Sequence, residues 1–356
     1  MKKTSLLILT LAAAGLLLAA CGRGPAGPAE QKNDRLILLE WSGYETETYW
    51  EPFAAAHPDI VPDYAFFAED AEALSKAQTG FYFDLVHPCG SWFGLYVEAG
   101  LVQPIDTSRL EHFDELFPEL VEKGVINGQQ YFIPWDWAFE SITVRTDLVS
   151  EVPDAWADLW DPQYQGQVAI FDSGESTFLT AAYVLGIDPY NATDEEAEQI
   201  RQKLIELKPN LLTYWADYTE INQLLASGDV AIGANTWNDA WATLNDEGYE
   251  VEYIDPVEGR ISYACGYGIS AETENLDLAY DYIDALIDAQ SNANMANDYY
   301  YGAANMNSVP LLDPALVAKF GFDDLSVLND TNFQASLTEA QREMMTSIWN
   351  EVKAAP

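Results

Sequence analysis

The sequence predicts an α/β protein built on mostly parallel sheets with helices on both faces. Three observations carry that expectation. Short apolar runs such as Leu36-Ile37-Leu38-Leu39 recur and stop in turns of small residues. Segments with helical spacing of apolar side chains separate them. The alternation occurs twice, once over 36–100 and again from 167, which is the pattern of strands joined by helical crossovers.

The elements follow in order. Leu36–Leu39 reads as a buried strand that ends in Trp41-Ser42-Gly43-Tyr44. A helix is expected over 45–56, where Tyr49, Trp50 and Phe53 fall at helical spacing and His57-Pro58 stops the pattern. Val61–Phe67 is the second strand, and Glu69–Gln78 a short helix closed by Gly80. Phe83–His87 is the third strand, broken by Pro88-Cys89-Gly90 and followed by Ser91, Trp92 and a helix that stops at Gly100. Gln130–Ile133 is a strand expected to end at Pro134-Trp135-Asp136-Trp137, with 138–145 extended as a crossing between halves. Gln167–Phe171 is a strand ending in Asp172-Ser173-Gly174-Glu175. Helices are expected near 177–185, 194–207 and 218–227, then a strand over Val230–Ala234 that runs into Asn235-Thr236-Trp237. Val251–Ile254 and Ile261–Ile269 are extended, Leu276–Asp288 is helical, and 337–353 forms a last helix. An α/β domain presents ligand-binding side chains where its strands end, and here several strands end in aromatics.

Composition narrows the function. The chain has 356 residues, 49% hydrophobic and 21% charged, enough for two domains with a large core. Sixteen basic residues face 58 acidic ones, a formal net charge of −42. Nucleic acid and anionic membrane surfaces need basic patches, so both are excluded as partners, while cations are attracted. Most of this charge is a hydrated acidic surface of the kind found in proteins adapted to high salt. No Cys or His pair has ligand spacing and His57, His87 and His112 are scattered, so no metal and no cofactor is expected. There is no Gly-x-Ser-x-Gly elbow and no His beside a nucleophile, so the chain is expected not to be an enzyme.

The amino terminus is a targeting segment. Lys2 and Lys3 precede an almost wholly apolar stretch over 5–20, and Leu18-Ala19-Ala20-Cys21 closes it. Small residues ending directly in Cys resemble the lipobox of bacterial lipoproteins, which implies cleavage before Cys21 and diacylation of its sulfur. Residues 1–21 are then the signal peptide and 22–34 a flexible tether, leaving the protein lipid-anchored on the outer face of a membrane. Removing Cys21 leaves Cys89 and Cys265, which in an exported chain either pair or stay as two separate thiols.

One stretch is specific. Trp156-x-Asp158-Leu159-Trp160-Asp161-Pro162-x-Tyr164-x-Gly166-x-Val168 resembles a segment of extracellular solute-binding proteins, and the nearest group is the spermidine/putrescine-binding proteins of ABC importers. Trp41-Ser42-Gly43-Tyr44, Phe83-Asp84-Leu85-Val86, Tyr131-Phe132-Ile133-Pro134-Trp135, Glu258-Gly259 and Tyr301 with Asn305 extend the likeness through the mature chain. The resemblance implies a two-lobed periplasmic-binding-protein-like fold, with a ligand cleft between discontinuous lobes joined by hinge crossovers. Lobe one would be 35–140 and 264–308, and lobe two 141–263 and 309–356. It also implies a monomer that hands a small molecule to an ABC permease.

Site residues carry over by position. Trp41 and Tyr44 correspond to aromatics that sandwich a methylene chain, and Asp172 and Glu175 to carboxylates that hold an ammonium. Trp237 and Tyr301 complete the lining, Tyr263 stands where the family has a Trp, and Gln334 where it has an amide. Ser42, Ser91, Trp92 and Trp135, all at strand ends, are further candidates for the lining, while Trp156, Trp160 and Tyr164 are assigned to structure. An alkyl ammonium needs carboxylates for its N–H donors, and ring faces for its charge and its methylenes. Two family acids are replaced, by Gly43 and by Cys265, and Asp136 and Glu140 could compensate from another wall. The expected ligand is a polyamine. The alternative is a betaine-like or amino-acid-like molecule with a single cation, and an exported hydrolase stands behind both.

Lipidation makes the first prediction. Cys21→Ser should leave a soluble or uncleaved form, and mass spectrometry should find a diacylated Cys21 at the mature amino terminus of the unchanged chain. A mature terminus downstream of Cys21 with no lipid would contradict it.

Overall fold

A single strand carries the architecture. In the computed structural model, which describes residues 35–356, Phe132–Arg145 runs for 14 residues, all of them buried. Its first part pairs antiparallel with Ile261–Ser270, from Gly268 opposite Phe132 to Ile261 opposite Glu140. From Ser141 onward it pairs instead with Ile232–Thr236 and Val251–Tyr253. The strand therefore changes partners between Glu140 and Ser141 and belongs to two sheets.

On the Ile261–Ser270 side the order continues through Leu85–Val86, Ile37–Trp41 and Asp63–Phe67, with the last three parallel to one another. On the other side it runs Ile232–Thr236, Val168–Phe171, Leu211–Trp215, again parallel. Each sheet is covered on both faces, and the period of two explains how. Leu38 and Leu85 enter one core cluster while their neighbours Leu39 and Val86 enter another. In the second sheet Val168 and Ile170 face one way and Ala169 the other. The result is a two-lobed α/β fold with discontinuous lobes, each holding its own core and joined by crossing strands. Leu312, Leu316, Phe320 and Leu325 lie in the first core, whereas Leu337, Met345, Ile348 and Val352 lie in the second. The chain thus changes lobe once more, near the Asn332–Phe333 strand that pairs with Ile261 and Ser262.

Most elements form where periodicity placed them. Helix Asp194–Leu207 starts at a reciprocal cap, with Glu196 N donating to Thr193 Oγ1 and Thr193 N to the Glu196 carboxylate. Helix Tyr218–Ser227 starts at Asp217 and ends at Gly228 with φ 77°. Three expectations need correction. The strand does not end at Pro134-Trp135-Asp136-Trp137. Cys265 faces Asp136 and Gly266 faces Pro134, so Trp135 is an extra residue, and this bulge accommodates a proline that has no N–H to give. A Cβ at Gly266 would lie 2.4 Å from the Ile133 carbonyl oxygen, so only glycine allows the two backbones to approach this closely. The 45–56 helix is split into a 3-10 turn Glu47–Tyr49 and helix Glu51–Ala56, which restarts with Pro52 in its first turn. Helices Asn238–Asp246, Ala289–Tyr299 and Pro314–Phe320 were not expected, because their apolar faces are short or alanine-rich.

Cys89 and Cys265 form a disulfide that joins the end of the third strand to the strand re-entering the first lobe, across a sequence separation of 176. Cys21, the leader and the tether lie outside the described residues. No described helix is long and apolar enough to cross a membrane. Closing so long a loop restricts the unfolded chain, by about 5 kcal/mol on the loop-entropy model. Cys89→Ala combined with Cys265→Ala should therefore lower the denaturant midpoint clearly. A midpoint equal to that of the unchanged protein would show that the bridge contributes nothing net.

Candidate functional site

The two sheets meet at a ring-lined face, and strand alternation builds it. Directly opposed residues in a ladder point the same way. Asp136 opposes Cys265 and Ala303, and Ala138 opposes Tyr263. Tyr301 extends the same row two residues before Ala303. Ala138, Tyr263, Cys265 and Tyr301 accordingly pack as one buried cluster, with Cys89, Tyr299 and Trp237 against it. Tyr263 and Tyr301 meet edge to face at 6.4 Å, and Tyr299 lies 5.9 Å from Tyr301. Tyr44, from the turn after the first strand, stacks on Tyr299 at 4.4 Å with ring planes 4° apart. Trp237 arrives from the second sheet, held by Phe171 at 5.3 Å and Trp215 at 5.4 Å.

Carboxylates border these rings. Asp136 is 1% exposed, and neither of its oxygens accepts a hydrogen bond. Asp239, two residues after Trp237, is buried; its Oδ2 is 3.5 Å from Asn222 Nδ2 and its Oδ1 has no partner. Burial pushes its pKa up to about 6. The charges of Asp239 and Asp136 both act on Tyr301. Glu175 accepts from Ser91 Oγ at 3.2 Å across the two lobes, while its other oxygen is buried and unpartnered. Burial, then the neighbouring Glu140, push Glu175 up to about 8. Glu140 accepts from Ser176 Oγ and Asn235 Nδ2, and burial pushes it up to about 7. A buried carboxylate oxygen without a hydrogen bond costs free energy, and Asp136, Asp239 and Glu175 each keep at least one.

The predicted residues divide. Tyr44, Trp237, Tyr263 and Tyr301 are brought together. Ser91 and Glu175 meet at the edge of the seam, where the Arg342 guanidinium also lies 4.8 Å from the Trp92 ring. Gln334 N donates to Ser262 O at 2.7 Å and is half-buried. Trp41 donates its indole N–H to His87 O and packs on Phe67, and Ser42 is exposed. Trp135 lies behind Tyr44, fully buried, with its N–H given to Leu286 O. Asp172 is not at the rings. It accepts from Trp349 Nε1 and Lys353 Nζ, both at 2.6 Å, and so is tied to the last helix. Tyr299 and Asp239 were not anticipated. The triple Tyr299-Tyr300-Tyr301 was a visible signal, whereas Asp239 had none beyond its closeness to Trp237.

Known proteins resemble the chain in sequence and fold. Residues 48–319 match the family model of the bacterial extracellular solute-binding proteins. The chain is 27% identical over 330 residues to the spermidine/putrescine-binding periplasmic protein of Salmonella typhimurium, covering 91% of this chain and 93% of that one. It is 27% identical over 351 residues to the putrescine-binding periplasmic protein PotF of Escherichia coli, covering 92% of each. The crystal structure of the spermidine/putrescine ABC transporter substrate-binding protein PotD of Streptococcus pneumoniae superposes with a TM-score of 0.77 at 21% identity, over 90% of this chain and 99% of that one. The match spans most of the chain: the chain belongs to the bacterial extracellular solute-binding protein family and is related to the spermidine/putrescine-binding proteins.

Proposed function

We propose that this protein is the lipid-anchored receptor of an ABC importer, capturing a small organic cation of the spermidine/putrescine class and passing it to the permease without chemical change. One observation carries the reading. Tyr44, Tyr263, Tyr299, Tyr301 and Trp237 form a ring-lined seam between the lobes, near buried acids that each keep an oxygen without a hydrogen bond. Ring faces suit both the methylenes and the charge of an alkyl ammonium, and carboxylates supply acceptors for its donors. The spermidine/putrescine-binding relatives support the same class. Export and anchoring are supported by the leader that ends in Cys21 and by a family whose members work outside the cell.

Two outcomes follow. Trp237→Ala and Tyr301→Ala should each weaken putrescine and spermidine binding about tenfold or more, and more than Asp172→Asn does, because Asp172 already has Lys353. Titration calorimetry against putrescine, spermidine, choline and an amino acid tests this, with product analysis to check for turnover. Neutral effects of both ring substitutions in a folded protein would sink the reading.

The second outcome is a pH dependence. Asp239, Glu140 and Glu175 are raised to about 6, 7 and 8. Between the unfolded carboxylate range and these values, the folded state holds protons that the unfolded chain has released. Stability without ligand therefore falls as pH rises through that window. A bound cation favours the ionised acids, so affinity should rise over the same range. Calorimetric melting and binding from pH 5.5 to 8.5 should move in opposite directions; an affinity that stays flat would remove these acids from contact with the ligand's charge.

A further inference from the structure

We infer that Asp136 is the carboxylate that anchors an ammonium group of the ligand, supported from behind by the buried Glu40–His87 pair. The inference rests on the reading of the seam as a cation site and names the group that holds the charge.

Three observations converge on this residue. The first is direction. On the face formed by Asp136, Ala138, Tyr263, Cys265, Tyr301 and Ala303, Asp136 is the charged side chain beside the rings, since Glu140 further along is taken up by Ser176 Oγ and Asn235 Nδ2 and Cys265 directly opposite is consumed in the disulfide. The row of rings and this carboxylate therefore share one face of the ladder.

The second is what lies behind it. Glu40 accepts from Trp41 N at 2.8 Å, from Tyr267 Oη at 2.6 Å and shares a 2.7 Å contact with His87 Nδ1. The His87 ring stacks on Tyr267 at 4.3 Å, which fixes its plane. Burial alone would depress the imidazole, but Glu40 and Asp136 outweigh it and push it up to about 9. His87 is thus a buried cation whose better contact goes to Glu40.

The third is the balance that remains. His87 Nε2 comes only to 3.4 Å of Asp136 Oδ2, outside hydrogen-bond geometry, and Oδ1 has no partner at all. One imidazolium between two carboxylates leaves a net negative charge, and it resides on the oxygens that face the rings. A carboxylate serving only to neutralise His87 would close to the 2.7–2.9 Å of a charge-assisted bond. Asp136 has instead two acceptors to offer, which is what an ammonium with three N–H donors requires. Removing one partner of a buried charge pair is costly to binding, on the order of 100-fold or more.

The test uses the mature chain with putrescine and spermidine as probes. Asp136→Asn should weaken both by about 100-fold or more, while the ligand-free melting point changes little because His87 keeps Glu40 at 2.7 Å as its closer partner. Asp136→Ser, a smaller neutral group on the same rung, should behave alike and guards against a folding defect peculiar to the amide. Affinity within threefold of the unchanged protein would overturn the assignment. A loss of affinity that tracks a fall in the melting point of both variants would also overturn it, placing Asp136 in the fold instead. If the unchanged protein binds neither probe nor any other organic cation, the receptor reading itself fails and the anchor with it.

Discussion

The ladder between Phe132–Arg145 and Ile261–Ser270 is the constraint on which the rest depends. A parallel sheet has to be covered on both faces, and one chain can build two such sheets only if something crosses between them. Here the crossing is made of paired strand, interrupted by a bulge at Trp135 and by a register shift between Gly233 and Thr236 on the strand facing Ser141 and Thr143. The bulge has a local consequence. By absorbing Pro134 and Trp135 it sets which residues beyond it face the seam, and so it aims Asp136 and Ala138 at the rings. A one-residue slip would turn the other set outward.

The interior near this ladder is unusually acidic. Glu40, Asp84, Asp136 and Glu140 are all buried, with His87, Arg145 and Arg260 as the buried cations. Glu40 and Asp84 are satisfied by several donors each. Asp136, Glu175 and Asp239 are not. Glu40 and Asp84 thus serve the sheet, while Asp136 and Asp239 keep an unpartnered oxygen near Tyr301 and Glu175 keeps one beside Ser91. Buried polar groups without partners are rare because they are costly, and their clustering beside aromatic walls is the physical sign of a binding site. The disulfide contributes here too. It places sulfur, with no charge and no strong acceptor, on the rung opposite Asp136, and leaves that carboxylate without a competitor.

Several hydrogen bonds cross the seam. Ser91 Oγ reaches Glu175, Leu337 N reaches Ser91 O, and Ser336 Oγ reaches Gly90 O. Each joins a loop after a strand of the first lobe to an element of the second. These are single hydrogen bonds worth about 1 kcal/mol or less net, few enough for lobes to part and re-form. A ligand that contacts rings from both sheets adds its own interactions to the closed form, and it can shift the equilibrium only by that difference.

Much of this was legible in the sequence. The two runs of strand and helix gave the α/β class, because period and capping are local properties of Thr193, Asp217 or Gly228. The motif around Trp156–Val168 and the Trp41–Tyr44 turn pointed to the family, and Tyr44, Trp237, Tyr263 and Tyr301 do converge. What local pattern could not supply was facing. Pro134 looked like a strand terminus because a proline lacks an N–H, and only the partner strand reveals a bulge that accommodates it. Once that strand was cut, the direction of Asp136 was unreadable. Asp172 had the right position beside Phe171, yet its charge goes to Lys353, a residue 181 positions away. The sequence by itself determined which segments are strands and helices, that cations are favoured, and which rings stand at strand ends. Tertiary structure alone decided which buried carboxylates are left with an unpartnered oxygen, because that depends on which distant donors reach them.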